Sequence, residues 1–132
     1  MNIYSAHIVK YYKSIIAVSV VIILSFIPAD NSDKLNLSII PHFDKIIHFF
    51  MYLFLSLALF IDIYKKKKKP TKINILLLSV IILIFSGMIE IIQFLFIVSR
   101  SGSFADTAAN LVGIIIASLF YFKTHRMSLF SK

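Results

Sequence analysis

From Ile73 to Val98 the chain runs 26 residues with a single charged side chain, Glu90. That is more than the ~20 apolar residues a helix needs to cross a ~30 Å hydrocarbon core. Three further apolar runs accompany it, at Tyr11–Ile27, Ile46–Tyr64 and Ala105–Phe122. Each is near or above the ~17–25 residues of a membrane span. Ile and Val are abundant, but the runs are long and do not alternate as strands would. Helices satisfy their own backbone hydrogen bonds in lipid, so helices are expected. The fold class that follows is an all-α membrane protein, a bundle of four transmembrane helices. It forms a single four-helix domain over residues 1–132, with spans at roughly 11–27, 46–64, 73–98 and 105–122.

Composition agrees. The chain is 59% hydrophobic, above the roughly half that is usual for a soluble domain. Polar breaks separate the runs. Pro28 with Asp30, Asn31, Ser32 and Asp33 follows the first, and Pro41 precedes the second. Lys65–Lys69 with Pro70 precedes the third, and Ser99–Ser103 precedes the fourth. A cleaved signal peptide is the alternative for the first run, with Lys10 and Lys13 as its basic region. The site it would need, Ile27-Pro28-Ala29, lacks the small-x-small pattern.

The net charge is +8, from 14 Lys and Arg against 6 Asp and Glu. In a soluble protein such an excess would point to nucleic acid. Here it sits between apolar runs, where it orients helices in a bilayer, so no nucleic-acid partner is expected. Four spans place the N-terminus, the second loop and the C-terminus on one side. That side carries Lys10, Lys13, Lys65–Lys69, Lys72, Lys123, Arg126 and Lys132, opposed only by Asp62. The other side carries Lys34, Lys45 and Arg100. The positive-inside rule makes the first side cytoplasmic, with both termini there. Lys65–Lys69 reads as a topology anchor, with anionic head groups as a lesser role. Tyr11, Tyr12, Tyr64 and Tyr121 fall at cytoplasmic span ends, as an aromatic belt would. Tyr52 does not; it shares the His48 face and is expected inside the protein.

His48, Glu90, Gln93, Arg100, Asp106 and Asn110 lie within or at the ends of the apolar runs. Ionisable groups facing lipid cost several kcal/mol each unless they pair or line a polar cavity. At about 1.5 Å rise per residue, all six fall near the outer boundary on the expected topology. They also form stripes. Asp44, His48, Tyr52 and Ser56 are spaced by four on the second helix. Ser86, Glu90 and Gln93 share a face of the third, and Asp106, Asn110 and Gly113 share one on the fourth. These stripes are expected to face one another. Ala109, Gly113 and Ala117, with Gly87 beside the Glu90 stripe, are expected to allow close packing.

Each residue also has a structural reading. Asp106 completes a Ser-x-x-Asp capping pattern from Ser103. Arg100 can pair with a lipid phosphate, Gln93 can be interfacial, Lys45 can snorkel outward, and Asn110 can join helices. Tyr52 can simply support His48 or Glu90. A buried carboxyl such as Glu90 needs a partner or a proton. His48 can carry protons, ligate a metal or make a structural hydrogen bond. No compact metal-ligand motif such as His-Glu-x-x-His is present, so no metal site is assigned. The chain has no cysteine, which excludes disulfides and thiolate chemistry. His7, His42 and His125 are assigned no role.

Asp44-Lys45-Ile46-Ile47-His48 followed by Tyr52 resembles the start of the second helix in VanZ-like membrane proteins. Glu90-Ile91-Ile92-Gln93, then Arg100, then Asp106 with Asn110 and Gly113, resembles that family's second motif. The resemblance implies a multi-pass protein of the bacterial cytoplasmic membrane. The family is named for teicoplanin resistance, which points toward the cell envelope without supplying a reaction. Three functions compete. One is an envelope-facing enzyme with His48, Glu90 and Asp106 as acid–base groups. Asp44, Lys45, Tyr52, Gln93, Arg100 and Asn110 would then contact the substrate, with Lys45 or Arg100 holding an anion. Its ligand would be an envelope lipid or a peptidoglycan-related molecule, and membrane lipids are partners in any case. The second is a non-catalytic accessory protein that alters antibiotic access. The third is a small proton-coupled transporter, disfavoured because no matching cytoplasmic polar path is visible. The sequence names no cofactor.

Overall fold

The computed structural model describes residues 3–26, 43–64, 70–96 and 104–127, with side chains within those ranges from 10 to 125. Four helices account for them. They are α1 (Ile3–Ser25), α2 (Phe43–Ile63), α3 (Lys72–Phe96) and α4 (Phe104–Met127). No strand occurs among the described residues. The expected breaks at 28–33, 41, 65–69 and 99–103 lie outside them. So do Arg100, His42 and the Ser103 half of the proposed cap.

Three helices, α2, α3 and α4, are long and apolar enough to cross a membrane. Their surfaces carry the same message. Phe94, Leu95 and Phe96 are more than three-fifths exposed, as are Ile73, Leu76, Ile81 and Leu119. Meanwhile His48, Asp62, Glu90, Gln93, Asp106 and Asn110 are all buried. Apolar groups outside and polar groups inside invert the pattern of a protein folded in water. In lipid the inversion is stable, because the outer surface needs no hydrogen bonds and the inner polar groups pair with one another.

The helices pack in the spatial order α1, α2, α4, α3. The closest approach is α2 on α4, set by Gly113. A Cβ there would run into the Phe49 carbonyl oxygen and lie 3.0 Å from the Leu53 nitrogen. Gly87 does not share this role. Nothing lies within 4 Å of the place its Cβ would occupy, so the expectation of close packing there is corrected. Val21, Met51, Tyr52, Leu55, Ile82 and Ile114 form one apolar core, with a contribution from every helix. Phe60, Ile75, Ala117 and Tyr121 form a second, nearer the lysine-rich end. Between α3 and α4, the Ser79 and Ser118 hydroxyls lie 2.9 Å apart; one donates to the other, and the accepting hydroxyl donates to the carbonyl four residues back.

Two local devices were not visible in the sequence. The α1 helix breaks at Tyr11 (φ −116°, ψ 19°). The break frees the Ser14 amide, and the Asp62 carboxylate of α2 accepts it at 2.9 Å, with the Ser14 hydroxyl on the same oxygen at 2.9 Å. Asp62 thus caps, from another helix, the segment that restarts after the break. At the head of α3, Thr71 Oγ1 accepts the Asn74 amide at 3.2 Å, an ordinary N-cap.

The tyrosines divide. Tyr12 is exposed beside Lys13, as a belt residue would be. Tyr121 is buried. Its ring stacks on His125 at 4.0 Å, and its hydroxyl donates to the Tyr64 carbonyl at 3.1 Å. It therefore locks α4 to the end of α2.

Candidate functional site

The three polar stripes do meet, at the end of the bundle opposite Lys72 and Lys123. The N-terminal turns of α2 and α4 and the C-terminal part of α3 bring His48, Asn110, Ser86 and Glu90 together. Asn110 is the hub and is fully buried. Its amide nitrogen donates to Ser86 Oγ at 2.8 Å and to Glu90 Oε1 at 3.4 Å. Its oxygen lies 3.1 Å from His48 Nδ1.

That arrangement fixes the histidine. With Glu90 ionised and so only accepting, the nitrogen of Asn110 faces Glu90 and its oxygen faces His48, and Nδ1 is then the ring nitrogen that carries the proton. Glu90 Oε1 stands 3.6 Å from the same Nδ1, close enough to stabilise the ring if it gains a second proton.

One turn nearer the end of the bundle, Lys45 bridges two acids. Its ammonium is 2.7 Å from Asp44 Oδ2 and 3.3 Å from Asp106 Oδ1. The second contact has ion-pair distance but not hydrogen-bond alignment, so the buried Asp106 Oδ1 makes no hydrogen bond. Lys45 is therefore turned into the protein rather than snorkelling away from it. Asp44, about half exposed, is the outermost member.

Tyr52 lies where the spacing predicted, facing inward and only 1% exposed. Its hydroxyl ends near Ser86 and Glu90. Two stripe members are occupied elsewhere. Gln93 donates its amide to the Ser25 carbonyl at 2.6 Å and so ties α3 to the end of α1. Ser56 bonds the Tyr52 carbonyl four residues back on its own helix. Arg100 lies outside the described residues. Ser86, read in the sequence only as a stripe member, proves to be a direct partner of Asn110. Its spacing of four from Glu90 was the available signal.

Chemically, the arrangement offers an oriented imidazole, two buried carboxyls, a lysine at the rim and a buried phenol. A family model described as VanZ/LLP1 matches residues 4–128, nearly the whole chain. No curated protein and no solved structure matches it.

Proposed function

The chain belongs to the VanZ/LLP1 family, and on that premise we propose that it is a multi-pass protein of the bacterial cytoplasmic membrane that acts on a component of the cell envelope. Residues 1–132 form one domain, α1 is the fourth span, and both termini lie in the cytoplasm. The polar cluster then opens toward the extracytoplasmic face. His48 is the proton-transferring group, with Asn110 holding its ring and Glu90 balancing its charge. Asp106 is the second acid–base group. Lys45 and Arg100 hold an anionic part of the ligand, and Asp44 and Tyr52 shape the mouth and floor of the site. The ligand is a lipid-linked or peptidoglycan-related molecule, or a step that governs glycopeptide access to one.

The observation that carries this reading is the buried network of His48, Asn110, Ser86 and Glu90. It draws on three helices. Packing alone would be met by apolar residues, and buried charge is retained at a cost. The basic residues gathered at the other end support the orientation.

Extracted membranes supplied with candidate lipid or peptidoglycan precursors test the reading. Wild-type membranes should convert or bind one of them. His48→Ala and Glu90→Ala should reduce conversion by about 100-fold or more, the usual scale of a general acid–base group. Conversion at the wild-type rate in both variants would remove the site from the reaction.

A further inference from the structure

We propose that the open groove between α3 and α4 binds one anionic phospholipid, with an acyl chain in the groove and the headgroup phosphate on Lys72. The surface lies outside the polar cluster, and the inference is independent of any chemistry there. Only the leaflet follows the orientation proposed above, which makes it the cytoplasmic one.

The groove has a volume of about 570 Å³. That falls within the ~300–1,000 Å³ of ordinary ligand sites. Leu76, Val80 and Leu83 form one wall, and Leu111, Ile115 and Leu119 the other. All but Leu83 are exposed, so the trough opens to the surrounding hydrocarbon, from which a lipid would enter. Apart from Lys72, the polar side chains that line it are Ser79 and Ser118. Their hydroxyls lie 2.9 Å apart and bond to each other. The groove therefore offers its occupant hydrocarbon and little else.

Length narrows the occupant. The lining runs from Lys72 to Leu83 on α3 and from Phe122 back to Leu111 on α4. Each stretch rises about 16 Å at ~1.5 Å per residue. That is about half of a ~30 Å hydrocarbon core. The groove thus has the reach of one lipid tail in one leaflet. A helix from a second copy of the chain would cross both leaflets.

Charge sets the end and the class of headgroup. Lys72 opens α3, and its ammonium lies 5.6 Å from the centre of the Phe122 ring on α4, which holds it across the end of the groove. Among the described residues no carboxylate pairs with it. Lys123, also exposed, follows Phe122. Basic pockets between membrane helices on the cytoplasmic side take anionic headgroups. A phosphate at Lys72 leaves its tail to run along the groove toward Leu83 and Leu111.

The test uses the full chain, delipidated in detergent micelles, with bound lipid counted by native mass spectrometry. Phosphatidylglycerol and phosphatidylcholine with identical tails are titrated separately. Wild type should hold a single phosphatidylglycerol about 5-fold more tightly than phosphatidylcholine, the worth of one lysine beside an anionic lipid. Lys72→Gln should abolish that preference and leave phosphatidylcholine affinity unchanged. Lys13→Gln, an equal loss of charge on α1, should behave as wild type. Val80→Trp and Ile115→Trp, which fill the groove, should weaken both lipids about 10-fold or more, the loss of about two buried methylenes. Helical circular dichroism shows which variants are folded. Equal affinity of wild type for the two lipids would overturn the proposal. So would wild-type lipid binding by the folded tryptophan variants, or the same loss in Lys13→Gln as in Lys72→Gln. A wild-type dimer that Val80→Trp dissociates would give the groove to a second copy and overturn it as well.

Discussion

Glu90→Gln and His48→Gln, made separately, are expected to leave folded protein in the membrane near its wild-type level and to abolish an envelope phenotype such as altered glycopeptide susceptibility. Both replacements keep the hydrogen-bonding capacity toward Asn110. In Glu90→Gln the side chain still offers an oxygen to the Asn110 amide, which lies 3.4 Å from Glu90 Oε1 in the native protein. In His48→Gln the side chain still offers an N–H to the Asn110 oxygen, which lies 3.1 Å from His48 Nδ1 in the native protein. Neither replacement can exchange a proton near neutral pH. Stability and function therefore separate. If the pair were only structural, the main loss would be in folded protein, because a charge-assisted bond is replaced by a neutral one. Immunodetection in membranes, beside susceptibility measured at matched levels, distinguishes the two. A wild-type phenotype in both variants would exclude proton transfer.

Gly113→Val is expected to lower stability and remove function, while Gly87→Ala leaves both intact. At Gly113 any side chain meets α2 backbone, the Phe49 carbonyl and the Leu53 nitrogen, which cannot swing aside. The helices must separate. Overpacking of this kind costs about 1–3 kcal/mol. That corresponds to a thermal midpoint lower by roughly 3–15 °C in a domain of this size. Asn110 stands one turn before Gly113 on α4, so the same separation draws it away from His48. Around Gly87 a methyl group meets nothing within 4 Å. Unfolding midpoints in detergent check both variants. A destabilised Gly87→Ala with an unaffected Gly113→Val would mean that α2 and α4 do not pack as described.

The legible part of this molecule was its periodicity. Spacings of four on α2 and α4 placed His48, Tyr52 and Asn110 on inward faces, because a helix repeats every 3.6 residues whatever surrounds it. The cost of polar groups in an apolar bundle then said that the stripes should meet. What periodicity cannot say is which atoms meet. Asp62 looked like one acid opposing many lysines. Its partnership with Ser14 depends on the break in α1 at Tyr11, for which neither residue's neighbours give a sign. Gln93 sat on the Glu90 stripe, but a long side chain near the end of α3 reaches the last carbonyls of α1 instead. Tyr121 had the position of a belt residue. Its burial follows from the packing of α4 against α2, a tertiary fact. Gly87 failed as a packing residue for the same reason. A small residue permits close approach, but a neighbour must be there to make it.

The central claim is that the His48–Asn110–Glu90 end of the bundle faces outward. The chain has no native cysteine, so single cysteines report position cleanly. Cysteines placed at Ser32 and Ser101, and at Lys67, should be treated in intact cells with a membrane-impermeant thiol reagent. The account predicts labelling at Ser32 and Ser101, and none at Lys67 until the cells are opened. Labelling at Lys67 in intact cells, with Ser32 and Ser101 protected, would reverse the orientation and turn the site toward the cytoplasm.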